Sequence, residues 1–144
     1  MMDIRPYERT DLEEVIELWG AVFPNAPTHN DPADDIQSKL KIQSELFFVA
    51  VDDGKLVGTA MSGFDGHRGW VYYVAVHPEF RRRGVGSALM KKVEAGLAEM
   101  GCPKLNLQIR AGNAQVQSFY ASLGYTVEER ISMGKRLAGN NEEE

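Results

Sequence analysis

The sequence predicts a single α/β domain of the α+β kind, in which four helices pack on a twisted, mixed and mostly antiparallel sheet of about six to seven strands. The apolar residues change their period along the chain, from the spacing of amphipathic helices to the alternation of half-buried strands. A strand, a helix and a strand follow one another between Trp70 and Arg110, and this crossover predicts one parallel pair among antiparallel neighbours.

The first elements are a short strand and a helix. Residues 3–7 alternate as a strand, and Thr10 and Glu13 have the spacing of a capping box at a helix start. Apolar residues then recur at helical spacing until Pro24 and Pro27, which we expect to end the helix.

The next elements are a second helix and a three-stranded meander. Asp31 is the expected cap of a helix that runs to Ile42. Strands over 46–51 and 56–61 flank a turn, and a third strand over 70–76 ends before Pro78.

The rest of the chain predicts two helices and three strands. A helix over 85–100 leads to a strand over 104–110, and Asn113 caps a last helix. A closing hairpin uses strands 125–129 and 131–137. We expect the domain to span residues 1–137, with 138–144 as an acidic flexible tail.

The composition is that of a globular protein, with 43% hydrophobic and 26% charged residues. A net charge of −5 argues against a nucleic-acid partner. The single cysteine, Cys102, excludes an intrachain disulfide framework, and no apolar run has the length of a membrane span. We therefore expect a cytoplasmic protein with no membrane partner.

The stretch RRRGVGSAL, residues 81–89, lies where the long helix begins. Gly84 and Gly86 suit a loop whose backbone amides hold a phosphate at a helix N-terminus. The nucleotide-hydrolase motif G-x-x-x-x-G-K-S/T is absent, and Leu89 stands where the dinucleotide motif G-x-G-x-x-G has its third glycine. On these residues alone, the stretch is either an anion-binding loop or a solvated helix start.

The segment HPEFRRRGVG resembles the signature of the GNAT family of acyl-CoA-dependent N-acetyltransferases. Arg81, Gly84 and Gly86 match that family's Q/R-x-x-G-x-G/A loop, and residues 113–125 resemble its N-x(5)-F/L-Y-x-x-L/M-G-F/Y segment. The segments FDGHRG, VHPEFR, GCPK and GKRL look most like the small bacterial YpeA-like branch.

This resemblance implies acetyl transfer from acetyl-CoA to a primary amine of a small molecule, peptide or protein, without a metal. It implies that the fourth and fifth strands splay apart to admit the pantetheine arm, and that a main-chain N–H of the fourth strand polarises the thioester carbonyl. The residues implied to contact acetyl-CoA are Val74, Ala75, Val76, Arg81, Arg82, Arg83, Gly84, Val85, Gly86, Ser87, Asn113 and Tyr120.

Tyr120 matches the tyrosine that serves as general acid toward the departing thiolate in many relatives. Its position on an amphipathic helix is also that of a core aromatic residue. The glutamates that act as bases in histone-type and ribosomal-protein acetyltransferases align with Trp70 and Gln108, so the base is open. His67 and Asp65 are candidates by their chemistry and are equally typical of a surface turn.

The resemblance places acceptor specificity on the first two helices and the last hairpin. Acidic side chains there either attract a cationic amine or are ordinary helix-start carboxylates. A non-catalytic acetyl-CoA-binding sensor and a nucleic-acid-binding domain are the alternative functions, and a homodimer is an open expectation. The candidate acceptor residues are Trp19, Phe23, Asp31, Asp34 and Asp35.

Overall fold

The structure is a computed structural model that describes residues 1–24 and 31–138. The chain divides into two compact units, the first ending at Leu107 and the second beginning at Gln108. Pro27 and residues 139–144 of the expected tail lie outside the described residues. The elements are β1 Met2–Pro6, α1 Leu12–Val22, α2 Pro32–Lys39, β2 Phe47–Asp52, β3 Lys55–Phe64, β4 Gly69–Val76, α3 Val85–Glu99, β5 Leu105–Asn106 and α4 Ala114–Ser122.

The sheet of the first unit has the strand order β1-β2-β3-β4-β5. The pairs from β1 to β4 are antiparallel, whereas β4 and β5 are parallel and are joined through α3. This topology confirms the predicted fold class and crossover, but the described residues contain a five-stranded sheet instead of the expected six or seven strands.

The two faces of this sheet carry different helices. α1 and α2 bury one face through Trp19, Ile36 and the β2 residues Phe47 and Val49, all of which belong to one apolar cluster. α3 contacts β2, β3 and β4 through its own buried stripe. That stripe consists of Val85, Leu89, Met90, Val93 and Leu97.

The start of α1 differs from its predicted form. The predicted box of Thr10 and Glu13 is wrong, because a 3-10 turn precedes the helix and its capping box is formed by Glu8 and Asp11. Asp31 does cap α2, accepting hydrogen bonds from the N–H groups of Ala33 and Asp34.

Two predicted strand regions are shorter or absent. β5 contains only Leu105 and Asn106 of the predicted 104–110 strand, and the predicted hairpin 125–129 and 131–137 forms no strand in the described part of the chain. Alternation shows only that one side of a segment is apolar, while a strand also requires a ladder partner. The apolar side chains of Val127 and Ile131 are accordingly 76% and 91% exposed.

No helix within residues 1–24 and 31–138 combines the length and apolar character needed to cross a bilayer.

Candidate active site

The fourth strand contains a β-bulge at Tyr73. Thr59 pairs with Ala75 and Met61 with Tyr72, so two residues of β4 lie opposite one residue of β3. The φ angle of Tyr73 is +52°, in the left-handed region that an aromatic residue rarely adopts. The bulge therefore changes the course of β4 just before its last three residues.

Side chains from three elements surround Tyr73. Its ring stacks on that of Trp19 with centroids 3.8 Å apart, and its hydroxyl donates to Asp35 Oδ2 at 2.6 Å. The buried hydroxyl of Thr59 donates to the Tyr73 carbonyl at 2.8 Å and accepts from Trp19 Nε1 at 2.9 Å. Burial first, and then the bond to Asp35, raise the pKa of Tyr73 well above its usual value. The phenol consequently remains a donor.

One edge of β4 is largely free of strand pairing. β5 pairs only with Gly69 and Trp70, at the beginning of β4. From residue 71 to 76, the described residues supply no second ladder partner besides β3. The backbone of Val74, Ala75 and Val76 thus lies beyond the point where the two parallel strands part.

The loop between β4 and α3 has the backbone form of an anion cradle. Arg82 and Gly84 have φ angles of +66° and +81°, and Gly84 is the N-cap of the 15-residue helix α3. No described side chain caps this N-terminus, so no side chain competes with an anion for its first amides at the positive end of the helix dipole. A β-carbon built on Gly84 meets nothing within 4 Å, which leaves room for a bound phosphate.

Basic side chains gather beside this loop. Arg83 lies over the ring of Phe80 at 4.9 Å from its centroid, and Lys55 of β3 lies over the same ring at 5.6 Å. The arginines at 81–83 are exposed. Phe80 thereby holds two cations in place next to the loop amides.

Close packing fixes the start of α3 against β3 and β4. A β-carbon on Gly58 would lie 2.9 Å from Val85 Cγ1 and Leu89 Cδ1 and 3.1 Å from the Ala75 carbonyl oxygen. Glycine is required at this position because α3 approaches the sheet too closely for a side chain. The loop and the end of β4 are thereby positioned on one rigid scaffold.

The second unit contains the other predicted site residues. Asn113 accepts a hydrogen bond from the N–H of Val116 and caps α4, as predicted. Tyr120 is 8% exposed and makes edge contacts with the rings of Phe119 and Tyr125. Burial raises the pKa of Tyr120 to about 12, so its hydroxyl carries a proton at neutral pH.

The family assignment follows from comparison with known sequences. The sequence model of the acetyltransferase (GNAT) family matches residues 12–125. The chain belongs to the GNAT acetyltransferase family. An acetyltransferase of Yersinia enterocolitica is 45% identical to this GNAT acetyltransferase over 141 residues, which are 98% of the chain and 99% of that protein. The chain is therefore an enzyme of the acyl-CoA-dependent N-acetyltransferase class.

Solved structures of GNAT acetyltransferases share the fold. An aminoglycoside N-acetyltransferase in complex with CoA is similar with a TM-score of 0.77 and 26% identity, covering 96% of both chains. The ribosomal-protein-S18-alanine N-acetyltransferase from Escherichia coli is similar with a TM-score of 0.73 and 27% identity, covering 86% of this chain and 77% of that one.

The candidate acceptor residues of this GNAT enzyme have different environments. Trp19 is 2% exposed and belongs to the core, and Asp31 is occupied as the α2 cap. Asp34 is exposed, whereas Asp35 is half-buried and bonded to Tyr73. Phe23 packs edge-on against Tyr73.

Asp65, one of the two candidate bases in the turn before β4, has a structural role. The Asp65 carboxylate accepts hydrogen bonds from the N–H groups of Arg68 and His67, each at 2.8 Å. These bonds hold the pKa of Asp65 below its usual value. This geometry is that of an aspartate that stabilises a turn.

The described residues contain no group of three or more His, Cys, Asp or Glu side chains that could hold a metal ion.

Sequence reasoning overlooked Tyr73 and Thr59. A threonine inside the apolar strand LVGTAM was a signal that a buried hydroxyl needs partners. The bulge itself left no signal, because a left-handed tyrosine has no sequence signature.

Proposed function

We propose that this enzyme transfers the acetyl group of acetyl-CoA to a primary amine of a small molecule, a peptide or a protein. The observation that carries the proposal is the loop of residues 81–87, whose left-handed Arg82 and Gly84 precede an uncapped helix. A GNAT relative of similar fold binds CoA, which supports the same cosubstrate here.

The loop amides would hold the diphosphate. Several amides aimed at one anion form charge-assisted hydrogen bonds of about 1.5 to 3 kcal/mol each, and the helix dipole favours the same charge. Arg81 to Ser87 would supply these contacts, with Lys55 and Arg83 adding positive charge beside them.

The free edge of β4 would bind the pantetheine arm. Val74, Ala75 and Val76 offer backbone groups that no second strand uses in the described chain. Acetyl-CoA supplies an activated acetyl group as a thioester. A main-chain N–H of β4 directed at its carbonyl oxygen would stabilise the charge that develops there.

Tyr120 would donate the proton that the departing thiolate requires. Its raised pKa, about 12, keeps the hydroxyl protonated across the physiological range. Asn113 would orient the cosubstrate from the start of α4. The acceptor, the base, the YpeA-like branch and a cytoplasmic location stay predictions.

The test is thiol release from acetyl-CoA with a panel of amines that includes aminoglycosides, peptides with N-terminal alanine and lysine peptides. We expect Tyr120→Phe to lower kcat by about 100-fold or more with unchanged acetyl-CoA affinity. Tyr125→Phe is the matched control, because the family motif accepts either ring there and Tyr125 contacts Tyr120.

Two outcomes would contradict the proposal. Tight acetyl-CoA binding without thiol release for any amine favours the sensor, an alternative raised by Trp70 and Gln108 at the positions of the relatives' glutamates. Failure to bind acetyl-CoA would reject the cosubstrate itself.

A further inference from the structure

Tyr73 has a backbone conformation that local sequence does not favour. A left-handed φ of +52° at an aromatic residue is unfavourable and persists only where the surroundings determine it. Glycine is the residue that adopts this conformation freely, yet β4 has tyrosine here. Contacts that Tyr73 makes through its side chain and its carbonyl must therefore compensate for the strain.

Among the side chains that contact Tyr73, we call Trp19, Asp35 and Thr59 the Tyr73 clamp. Trp19 stacks on the ring at 3.8 Å, and Thr59 bonds the carbonyl at 2.8 Å. Both residues are buried, at 2% and 0% exposure. Asp35 accepts from the hydroxyl at 2.6 Å and connects the bulge to α2.

The bulge at Tyr73 reverses which way the end of β4 faces. Gly69 faces α3, because a β-carbon there would meet Leu97. Simple alternation would put Ala75 on the same side, but Ala75 belongs to the cluster formed with α1. The extra residue of the bulge reverses the alternation, and with it the direction of each peptide group from Val74 onward.

We propose that Asp35, acting through Tyr73, is a positioning residue for acetyl transfer. The inference rests on the proposed function, in which Val74 to Val76 bind the cosubstrate through their backbone. Asp35 in α2 accepts a hydrogen bond from the Tyr73 hydroxyl and so restrains the Tyr73 side chain. The restrained side chain stabilises the left-handed backbone of Tyr73, which sets the direction of the following peptide groups toward the thioester. Loss of the bond from the hydroxyl should disturb catalysis more than cosubstrate affinity, since the loop at 81–87 remains intact.

The variants Tyr73→Phe and Asp35→Ala test this, with Tyr72→Phe as the matched control. Tyr72 is the adjacent residue and is 55% exposed, so the same atom is removed outside the clamp. Asp35→Asn keeps an acceptor for the phenol and serves as the conservative variant. Asp34→Ala, at an exposed carboxylate of the same helix, controls for lost charge in the exchange measurement.

Two readouts are needed: hydrogen exchange of the amides at 71–76 without ligand, and kcat with the dissociation constant for CoA. A charge-assisted hydrogen bond predicts that Tyr73→Phe and Asp35→Ala each accelerate exchange about tenfold and lower kcat about tenfold. CoA affinity should change much less than kcat does, and Asp35→Asn should retain most of the wild-type kcat. In the double variant the two effects should not add, because both remove the same bond.

Three other results would contradict the clamp, the positioning role of Asp35 or the proposed function. Unchanged exchange in Tyr73→Phe, or equal changes in Tyr72→Phe, overturns the clamp. Faster exchange with unchanged kcat overturns the positioning role while the proposed function stands. A wild type that releases no thiol overturns the proposed function and the positioning role together, and exchange then decides the clamp alone.

Discussion

Asp11 is a buried carboxylate at the start of α1, and its neighbours hold it ionised. Its side chain is part of a residue only 4% exposed, and Arg5 donates to both of its oxygens at 2.8 and 2.9 Å. The N–H of Glu8 donates a third bond. Burial alone would raise the pKa of Asp11, but the bonds from Arg5 and Glu8 outweigh it and hold the pKa below its usual value.

We expect Asp11→Asn to lower the free energy of unfolding at pH 7 by about 2 kcal/mol, because Arg5 loses its charged partner. A folded-state pKa below the unfolded one contributes stability that is fully present above the unfolded value of about 4 and is lost as pH falls through the folded value. The difference from wild type should therefore shrink near pH 3. Urea unfolding at the two pH values measures both effects.

Glu13→Gln is the control for this prediction, because Glu13 is exposed. The capping box predicted for it is absent, since Glu8 and Asp11 form the box instead. The effect of Glu13→Gln should stay below about 0.5 kcal/mol. An Asp11→Asn deficit that is the same at both pH values would contradict the ionisation argument.

Single residues differ in how far sequence predicts them. Asp31 and Asn113 were predictable caps, because each directly precedes its helix and carries a short side-chain oxygen that accepts from the first amides. The cap predicted at Thr10 was wrong. Asp11 makes a bidentate ion pair with Arg5, six residues away, and a capping pattern of four residues does not include Arg5.

At the scale of elements, the two ends of α3 provide a matched pair of glycines. Gly84 and Gly101 have φ angles of +81° and +82°, and a β-carbon on either meets nothing within 4 Å. Alanine at each should cost about 1 to 2 kcal/mol of stability through the same backbone strain. Only Gly84→Ala should also weaken CoA binding, which calorimetry measures. Equal CoA affinity in the two variants would rule out the loop as the phosphate site.

The contact of α3 with the sheet makes a second prediction about elements. Gly58→Ala should destabilise the protein by about 1 to 3 kcal/mol, because the new methyl group meets Val85, Leu89 and a backbone carbonyl. Gly20→Ala in α1 is the control, since open space surrounds Gly20 and alanine favours helix by up to about 1 kcal/mol. Urea unfolding should show opposite signs, and a neutral Gly58→Ala would mean that α3 moves aside freely.

Element type was predictable where one side of the segment packs on the core. α1, α3 and the β2–β3 hairpin follow the apolar period closely. The strand predicted at 104–110 was too long, because only its first part finds β4 as a partner. Pairing is a long-range property, so alternation alone does not establish it.

At the scale of the whole molecule, the chain has a negative net charge but carries a local group of positive side chains. The net charge is −5, yet Lys55 and the arginines at 81–83 are exposed beside the loop. We expect CoA affinity to fall as salt rises from about 50 to about 500 mM, because screening weakens attraction between exposed charges. Arg83→Gln should reduce this salt dependence, while Lys41→Gln, at an exposed lysine after α2, should not. Identical slopes for all three proteins would argue against electrostatic attraction at the loop.

The fold class and the glycine loop before α3 could be predicted from sequence because both depend on short patterns, a change of period and two glycines after Arg81. The bulge at Tyr73 could not, since it depends on three side chains from separate elements meeting at one residue. Sequence thus located the loop that we propose for cosubstrate binding, but it missed the side chains that surround the bulge in the neighbouring strand.

The stack of Trp19 on Tyr73 also gives the protein an internal optical reporter. The chain has two tryptophans, and replacing the half-exposed Trp70 by phenylalanine leaves Trp19 as the sole source of indole emission. Its indole N–H donates to Thr59, and its ring stacks on the phenol ring of Tyr73 at the bulge of β4. Fluorescence from Trp70→Phe protein would then follow the bulge in real time, without a label, as cosubstrate and amine are mixed in.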